Sequence, residues 1–189
     1  MSKIIIITAP SGSGKTTIVK QLLEHHPQLA FSVSACTRTA RNGEKDGIDY
    51  YFLKEDDFKK KIEGKEFLEW EMVYPGKYYG TLKNEITRLW DKGQTPIIDI
   101  DVKGALKVKD NLKENAISIF IKTPSLEILK HRLLKRATED EKSLQERLDK
   151  ATLELSFEQF FDFVVVNDDL ENAINATAQI IGGFLNNNN

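Results

Sequence analysis

The start of this chain constrains its fold more than any other segment. Ile4 to Thr8 is a β-branched run without polar alternation, and it leads straight into Ala9-Pro10-Ser11-Gly12-Ser13-Gly14-Lys15-Thr16-Thr17. A strand that is apolar on both faces needs cover on both, as in a parallel sheet flanked by helices. The nine residues after it match the pattern of a Gly-rich phosphate-binding loop, with Ala9 where the first glycine is expected. A helix is predicted from about Lys15 to His25, ended by Pro27. Gly12 and Gly14 allow the backbone to turn its amides inward around an anion, and the start of the helix adds its positive end to the same spot. Alanine at the first position is harmless while its φ stays negative.

The chemistry expected of this loop is the binding of a nucleoside triphosphate, ATP in the simplest reading, by Ala9 through Thr17. Lys15 spans the β- and γ-phosphates as a flexible point charge. The Thr16 hydroxyl ligates the Mg2+ ion that bridges them, so Mg2+ arriving with ATP is the expected cofactor. A bare loop of this kind leaves GTPases, ATPases and many kinases open.

Downstream, strand and helix patterns alternate. Phe31 to Cys36 reads as a strand, Lys83 to Lys92 as a helix stopped by Gly93, and Pro96 to Ile100 as a second buried strand ending in Asp99 and Asp101. Lys103 to Asn111 reads as a helix, Ile117 to Ile121 as a strand, and Ser125 to Arg136 as a helix that Ser125 can cap and Glu127 supports. A strongly charged stretch spans Lys135 to Lys150. Phe163 to Val166 is a last strand, Leu170 to Leu185 a closing helix, and Asn186 to Asn189 a tail too polar to pack. The fold class is therefore α/β, a five-stranded parallel sheet flanked by helices. Between about Thr37 and Leu82 the texture changes: turn pairs (Asn42-Gly43, Asp46-Gly47, Pro75-Gly76) separate short aromatic stretches, which reads as a small antiparallel insert.

Composition narrows the partner. The 189 residues suit one compact domain with small inserted lobes, and a formal net charge of -2 argues against a nucleic acid polymer as ligand. A small anionic ligand in a local basic pocket fits better. The apolar start is too short for a signal-peptide core or a membrane span, so a cytoplasmic protein without membrane association is expected. The single cysteine, Cys36, cannot form an internal disulfide and reads as a core residue. His25, His26 and His131 lack metal-ligand spacing, and Trp70 and Trp90 read as packing residues.

The insert makes the reading specific. Ser34-Ala35-Cys36-Thr37-Arg38-Thr39-Ala40-Arg41, Gly43-Glu44, Gly47, Asp49-Tyr50, Phe67-Leu68-Glu69-Trp70 and Tyr78-Tyr79-Gly80-Thr81 resemble the GMP-binding lobe of guanylate kinases in order and spacing. Asp99-Ile100-Asp101 with Gly104, then Arg132, Arg136, Arg147 and Asn167-Asp168-Asp169, extend the resemblance over nearly the whole chain. It implies a P-loop core over 1–33, 83–124 and 150–189, a mixed β GMP-binding lobe over 34–82, and a helical lid over 125–149. The implied reaction moves the γ-phosphate of ATP to GMP, giving ADP and GDP, in a monomer or homodimer.

Chemistry agrees with the implied roles. Arg38 and Arg41 lie three apart and can meet on one phosphate, to which the Tyr50 and Tyr79 hydroxyls can also donate. The Watson–Crick edge of guanine presents two donors, so a carboxylate from Glu69 or Asp101 and hydroxyls from Ser34 and Thr81 suit it. Lys15, Arg38 and the lid arginines Arg132, Arg136 and Arg147 are the expected catalytic charges, since phosphoryl transfer needs alignment and neutralisation more than a nucleophilic side chain. Arg132 and Arg136 share a helix face at i, i+4. Ala137 follows Arg136 where the family usually has glycine. Asp99 is placed to hold metal-bound water, and the Asn167 segment lies by resemblance beside the ATP adenine. Two other readings remain: a non-catalytic guanylate-kinase-like module that binds phosphopeptides, and a kinase of another mononucleotide.

Overall fold

The computed structural model describes residues 3–136 and 141–186, with side chains described for 3–135 and 144–186. In chain order the elements are β1 (Ile4–Thr8), α1 (Lys15–His25), β2 (Leu29–Phe31), β3 (Ala35–Cys36), β4 (Tyr51–Phe52), α2 (Glu55–Glu63), β5 (Phe67–Tyr74), β6 (Lys77–Leu82) and α3 (Lys83–Asp91). They continue as β7 (Thr95–Asp99), α4 (Val102–Leu112), β8 (Ala116–Lys122), α5 (Leu126–Arg136), α6 (Glu141–Leu155), β9 (Phe163–Val166) and α7 (Leu170–Asn186). No helix among the described residues is long and apolar enough to cross a membrane.

β1 is the middle strand of a five-stranded sheet of order β2-β7-β1-β8-β9, every pair of which is parallel. Its isoleucines explain the missing alternation. Ile5 and Ile7 enter one core cluster with Ile18, Val19 and Leu22 of α1 and Ala173 and Ile181 of α7. Ile4 and Ile6 enter another with Ile86 of α3 and Val102, Ala105 and Val108 of α4. Every isoleucine of the run is 1% exposed or less, so both faces are covered by helices, as a parallel sheet requires.

The second sheet has the order β4-β3-β6-β5 and is mixed: β3 pairs parallel with β4, whereas β6 pairs antiparallel with β3 and β5. The stretch expected as one strand over Phe31 to Cys36 is in fact divided. β2 belongs to the large sheet and β3 to the small one, and Ser32 to Ser34 carry the chain across. Pairing decided this, since the alternation of Phe31-Ser32-Val33-Ser34-Ala35 runs on across the gap while the hydrogen-bond partner changes from β7 to β6 and β4.

One helix went unassigned in the sequence. α2 is almost entirely charged, and only Phe58 is buried, stacked on Phe67 with ring centroids 4.3 Å apart. Its acidic first turn (Glu55, Asp56, Asp57) and basic last turn (Lys60, Lys61) complement the helix dipole, a signal that outweighs the weak apolar stripe. α6 runs through the charged stretch to Leu155, unbroken across 149–150 where the expected lid ends.

Candidate active site

The carboxyl ends of β1 and β7 meet the small sheet around a cleft of about 430 Å³, within the range of roughly 300–1,000 Å³ common for ligand pockets. Residues 9–16 form one wall. Ser34, Tyr50, Glu69 and Tyr79 of the small sheet and its linkers form the opposite one. Asp99 and Asp101 lie at the end of β7, and Arg147, Lys150 and Glu154 of α6 close the cleft.

The loop has the backbone that its glycines predict. Gly12 and Gly14 have φ of 90° and 92°, in the left-handed region that side chains rarely adopt. At Gly14 space forbids a side chain as well, because a Cβ there would lie 2.2 Å from Asn167 Nδ2. Asn167 is buried and its Nδ2 donates to the Ser13 carbonyl at 2.7 Å, so the residue after β9 braces the loop directly. Arg132 of α5 sits above the same point, donating from Nη2 to the Asn167 carbonyl at 3.0 Å. α5 is docked there by Leu129 and Leu133, whose side chains pack over Gly12. Its first turn is capped by Ser125, whose Oγ accepts from the Ile128 amide.

Lys15, the first residue of α1, pairs with Asp99 at the end of β7. Thr16 and Asp99 both line the cleft. A hydroxyl and a carboxylate are hard oxygen donors of the kind that Mg2+ takes when its other ligands are water and phosphate oxygens, so the residues fit the expected ion. Ser13 Oγ is buried in the loop with no hydrogen-bond partner among the described residues.

On the opposite wall, Glu69 of β5 is 9% exposed and accepts from Thr81 Oγ1 at 2.8 Å. Burial pushes its carboxyl above the ordinary value. Asp101 adds to that rise, and the Thr81 hydrogen bonds and Lys107 oppose it. Asp101 itself caps α4, accepting from the Gly104 amide at 2.7 Å. Arg38 sits over the Tyr50 ring, its Cζ 4.7 Å from the centroid, and both of its terminal nitrogens donate to Glu44 at 2.6 and 2.7 Å. That bidentate bond, with the Arg41 amide donating to the same carboxylate at 2.7 Å, holds Glu44's carboxyl down at about 2.

The structure thus brings residues 9–16, Ser34, Tyr50, Glu69, Tyr79, Asp99, Asp101 and Arg147 onto one cleft. Thr81 reaches it through Glu69, Arg38 through Tyr50, and Asn167 and Arg132 through the loop. Thr17 and the exposed Arg41 lie off the cleft wall. The Arg136 side chain and Ala137 lie outside the described residues. Cys36 is fully buried, and burial raises its thiol pKa, which suits a core residue.

Sequence reasoning missed several wall residues, Val73 among them, and a brace. Lys150 and Glu154 follow Arg147 at i+3 and i+7 on α6, and this periodicity was the available signal. Glu71 belongs to β5 and follows Glu69 by two, hence on the same face. Glu44 was visible only as part of a motif, without its hold on Arg38.

Against this geometry, a sequence model of guanylate kinases matches residues 1–183. The chain belongs to the guanylate kinase family. A guanylate kinase of Bacteroides thetaiotaomicron is 46% identical over 184 residues, 97% of this chain and 90% of that protein. One from Salinibacter ruber is 47% identical over 182 residues, 96% of each. Among solved structures, the guanylate kinase from Anaplasma phagocytophilum superposes with a TM-score of 0.76 at 32% identity, covering 96% of this chain and 85% of that one. The fold is therefore shared with a solved guanylate kinase over nearly the whole chain.

Proposed function

We infer that the chain transfers the γ-phosphate of ATP to GMP, giving ADP and GDP. The observation that carries this reading is the shared cleft: a backbone anion cradle on one wall faces an acid- and hydroxyl-lined wall from a separate sheet, as a two-substrate transfer needs.

Residues 9–17 cradle the donor phosphates, and Lys15 supplies the point charge that follows the transferring group. Asn167 keeps the loop in shape from behind. On the acceptor side, Glu69 and Thr81, with Ser34 and Asp101, accept from the N1 proton and 2-amino group of guanine, and adenine would leave those buried acceptors unpaired. Arg38, Arg41, Tyr50 and Tyr79 take the GMP phosphate. Arg132, Arg136 and Arg147 bring positive charge onto the transferring oxygens from the two helices over the loop. Each substrate is thus held by its own wall, and the rate enhancement comes from alignment and preorganised charge. Thr16, with Asp99 through water, would hold Mg2+, which when bound would neutralise part of the charge of the donor phosphates. The residues 125–149 act as a lid whose closure excludes water, and the enzyme works in the cytoplasm as a monomer or homodimer on small-molecule substrates.

A coupled assay for ADP with purified protein, ATP and a panel of GMP, AMP, UMP and dTMP tests the reading. GMP should elicit turnover at least about 10⁴-fold more efficient than AMP, the scale of rejection open to a site with unpaired buried acceptors. Equal ADP release with AMP would contradict the base assignment.

A further inference from the structure

Among the described residues the chain passes from the large sheet to the small one through Ser32 to Ser34 and returns where β6 runs directly into α3. Both crossings meet at one side chain. Glu85, the third residue of α3, is 1% exposed and its side chain fully buried. Its Oε1 accepts from the Val33 amide at 3.2 Å and from Arg88 Nη2 at 2.8 Å. Its Oε2 accepts from the Tyr51 hydroxyl at 2.9 Å and from Arg88 Nε at 2.7 Å.

These partners are informative. Val33 immediately precedes Ser34, Tyr51 immediately follows Tyr50, and Ser34 and Tyr50 both line the cleft. The Tyr51 amide also donates to the Ser34 carbonyl at 2.9 Å, so the two segments are tied to each other as well as to Glu85. A solvent-exposed i, i+3 ion pair would stabilise α3 without any desolvation cost, whereas a buried carboxylate is costly unless its lone pairs are satisfied. Here four donors satisfy it. Burial alone would raise the carboxyl pKa, but the bonds from Arg88, Tyr51 and Val33 together hold it below the ordinary value, which keeps it ionised at neutral pH. Glutamine cannot substitute, because its amide group would turn a donor toward groups that are themselves donors.

We propose that Glu85 is a positioning residue of the acceptor side, a carboxylate clamp that fixes Ser34 and Tyr50 against the phosphate loop by holding Val33 and Tyr51. The clamp touches neither substrate. It sets the affinity for GMP and leaves that for ATP alone, since among the described residues no hydrogen bond or ion pair links it to residues 9–17 or Asn167. The inference rests on the reading that the small sheet holds GMP.

The test is steady-state kinetics of the full chain with KM for GMP and for ATP measured separately, alongside thermal melts, for Tyr51→Phe, Glu85→Gln and the double variant. Tyr51→Phe removes one hydroxyl while keeping the ring in the lobe's apolar cluster. It should raise KM for GMP about threefold, and Glu85→Gln about tenfold, the scale of one lost hydrogen bond to a buried charge. KM for ATP should stay within about twofold in both, and the two effects should combine to less than their product, because they share one contact. Lowered melting with unchanged KM for GMP, or equal rises in both KM values, would overturn the clamp. If Glu85→Gln does not fold, Tyr51→Phe decides alone by the same criterion. Wild-type protein that fails to phosphorylate GMP would remove the functional reading itself; wild-type activity with unaltered variants removes only the clamp.

Discussion

The two walls of the cleft are built by opposite strategies. The phosphate side is contiguous: six residues between β1 and α1, with the first turn of α1, offer mainly backbone groups, after a strand whose every residue is buried. The opposite side is scattered from Ser34 to Thr81 and offers side chains, over a sheet with two two-residue strands and an apolar cluster built on four buried residues, Ala35, Phe58, Phe67 and Leu82. A backbone cradle depends on φ values and on what lies behind it. A side-chain wall depends on the struts that aim each group, which is where Arg38 with Glu44, Glu69 with Thr81, and Glu85 with Tyr51 belong. The contrast teaches that the loop wall is held by its own backbone and the small-sheet wall by cross-bracing, so, if they hold donor and acceptor as proposed, each should fail separately.

The sharpest break of that separation is Lys15→Ala. It should lower kcat by about 10³-fold while far-UV circular dichroism and the melting temperature stay near wild type, since it removes an electrostatic group and only the stem of one polar side chain. An active variant would take the lysine out of the mechanism. Next comes Gly14→Ala, which sets a methyl against Asn167 in a left-handed backbone. KM for ATP should rise about a hundredfold, and the GMP requirement should change little.

Glu69→Gln mirrors it from the other wall, with KM for GMP up about tenfold and KM for ATP unchanged, by loss of a carboxylate that accepts from two donors. Equal effects on both substrates would place Glu69 outside the base pocket. A smaller effect is its pH dependence. The folded carboxyl has a raised pKa, so it gains a proton earlier than usual as pH falls and then loses acceptor capacity. KM for GMP should therefore rise as pH drops toward and through that raised value, by severalfold, and the part due to Glu69 should vanish in Glu69→Gln. The smallest expected change is Gly43→Ala. Its φ of 90° resembles Gly14's, yet nothing lies within 4 Å of an added Cβ. The cost is backbone strain alone, about 1–2 kcal/mol, read as a lower melting temperature with KM for ATP intact.

The same contrast explains what the amino-acid sequence revealed. The loop and the central strands were legible because their signals are local, such as the Ile4 to Thr8 run and the glycines after it. The acceptor residues were legible through their motif spacing, although their struts were not: the burial of Glu85 and the grip of Glu44 on Arg38 depend on partners that only the fold brings close. α2 escaped because charge masks its helical period. β2 and β3 were merged because apolar content says nothing about which sheet a strand joins.

One experiment tests the division of labour directly: calorimetric titration of ATP and GMP, separately, into wild-type protein, Lys15→Ala and Glu69→Gln. The account predicts a double dissociation, with Lys15→Ala weakening ATP and sparing GMP, and Glu69→Gln weakening GMP and sparing ATP. Parallel losses of both ligands in either variant would contradict it.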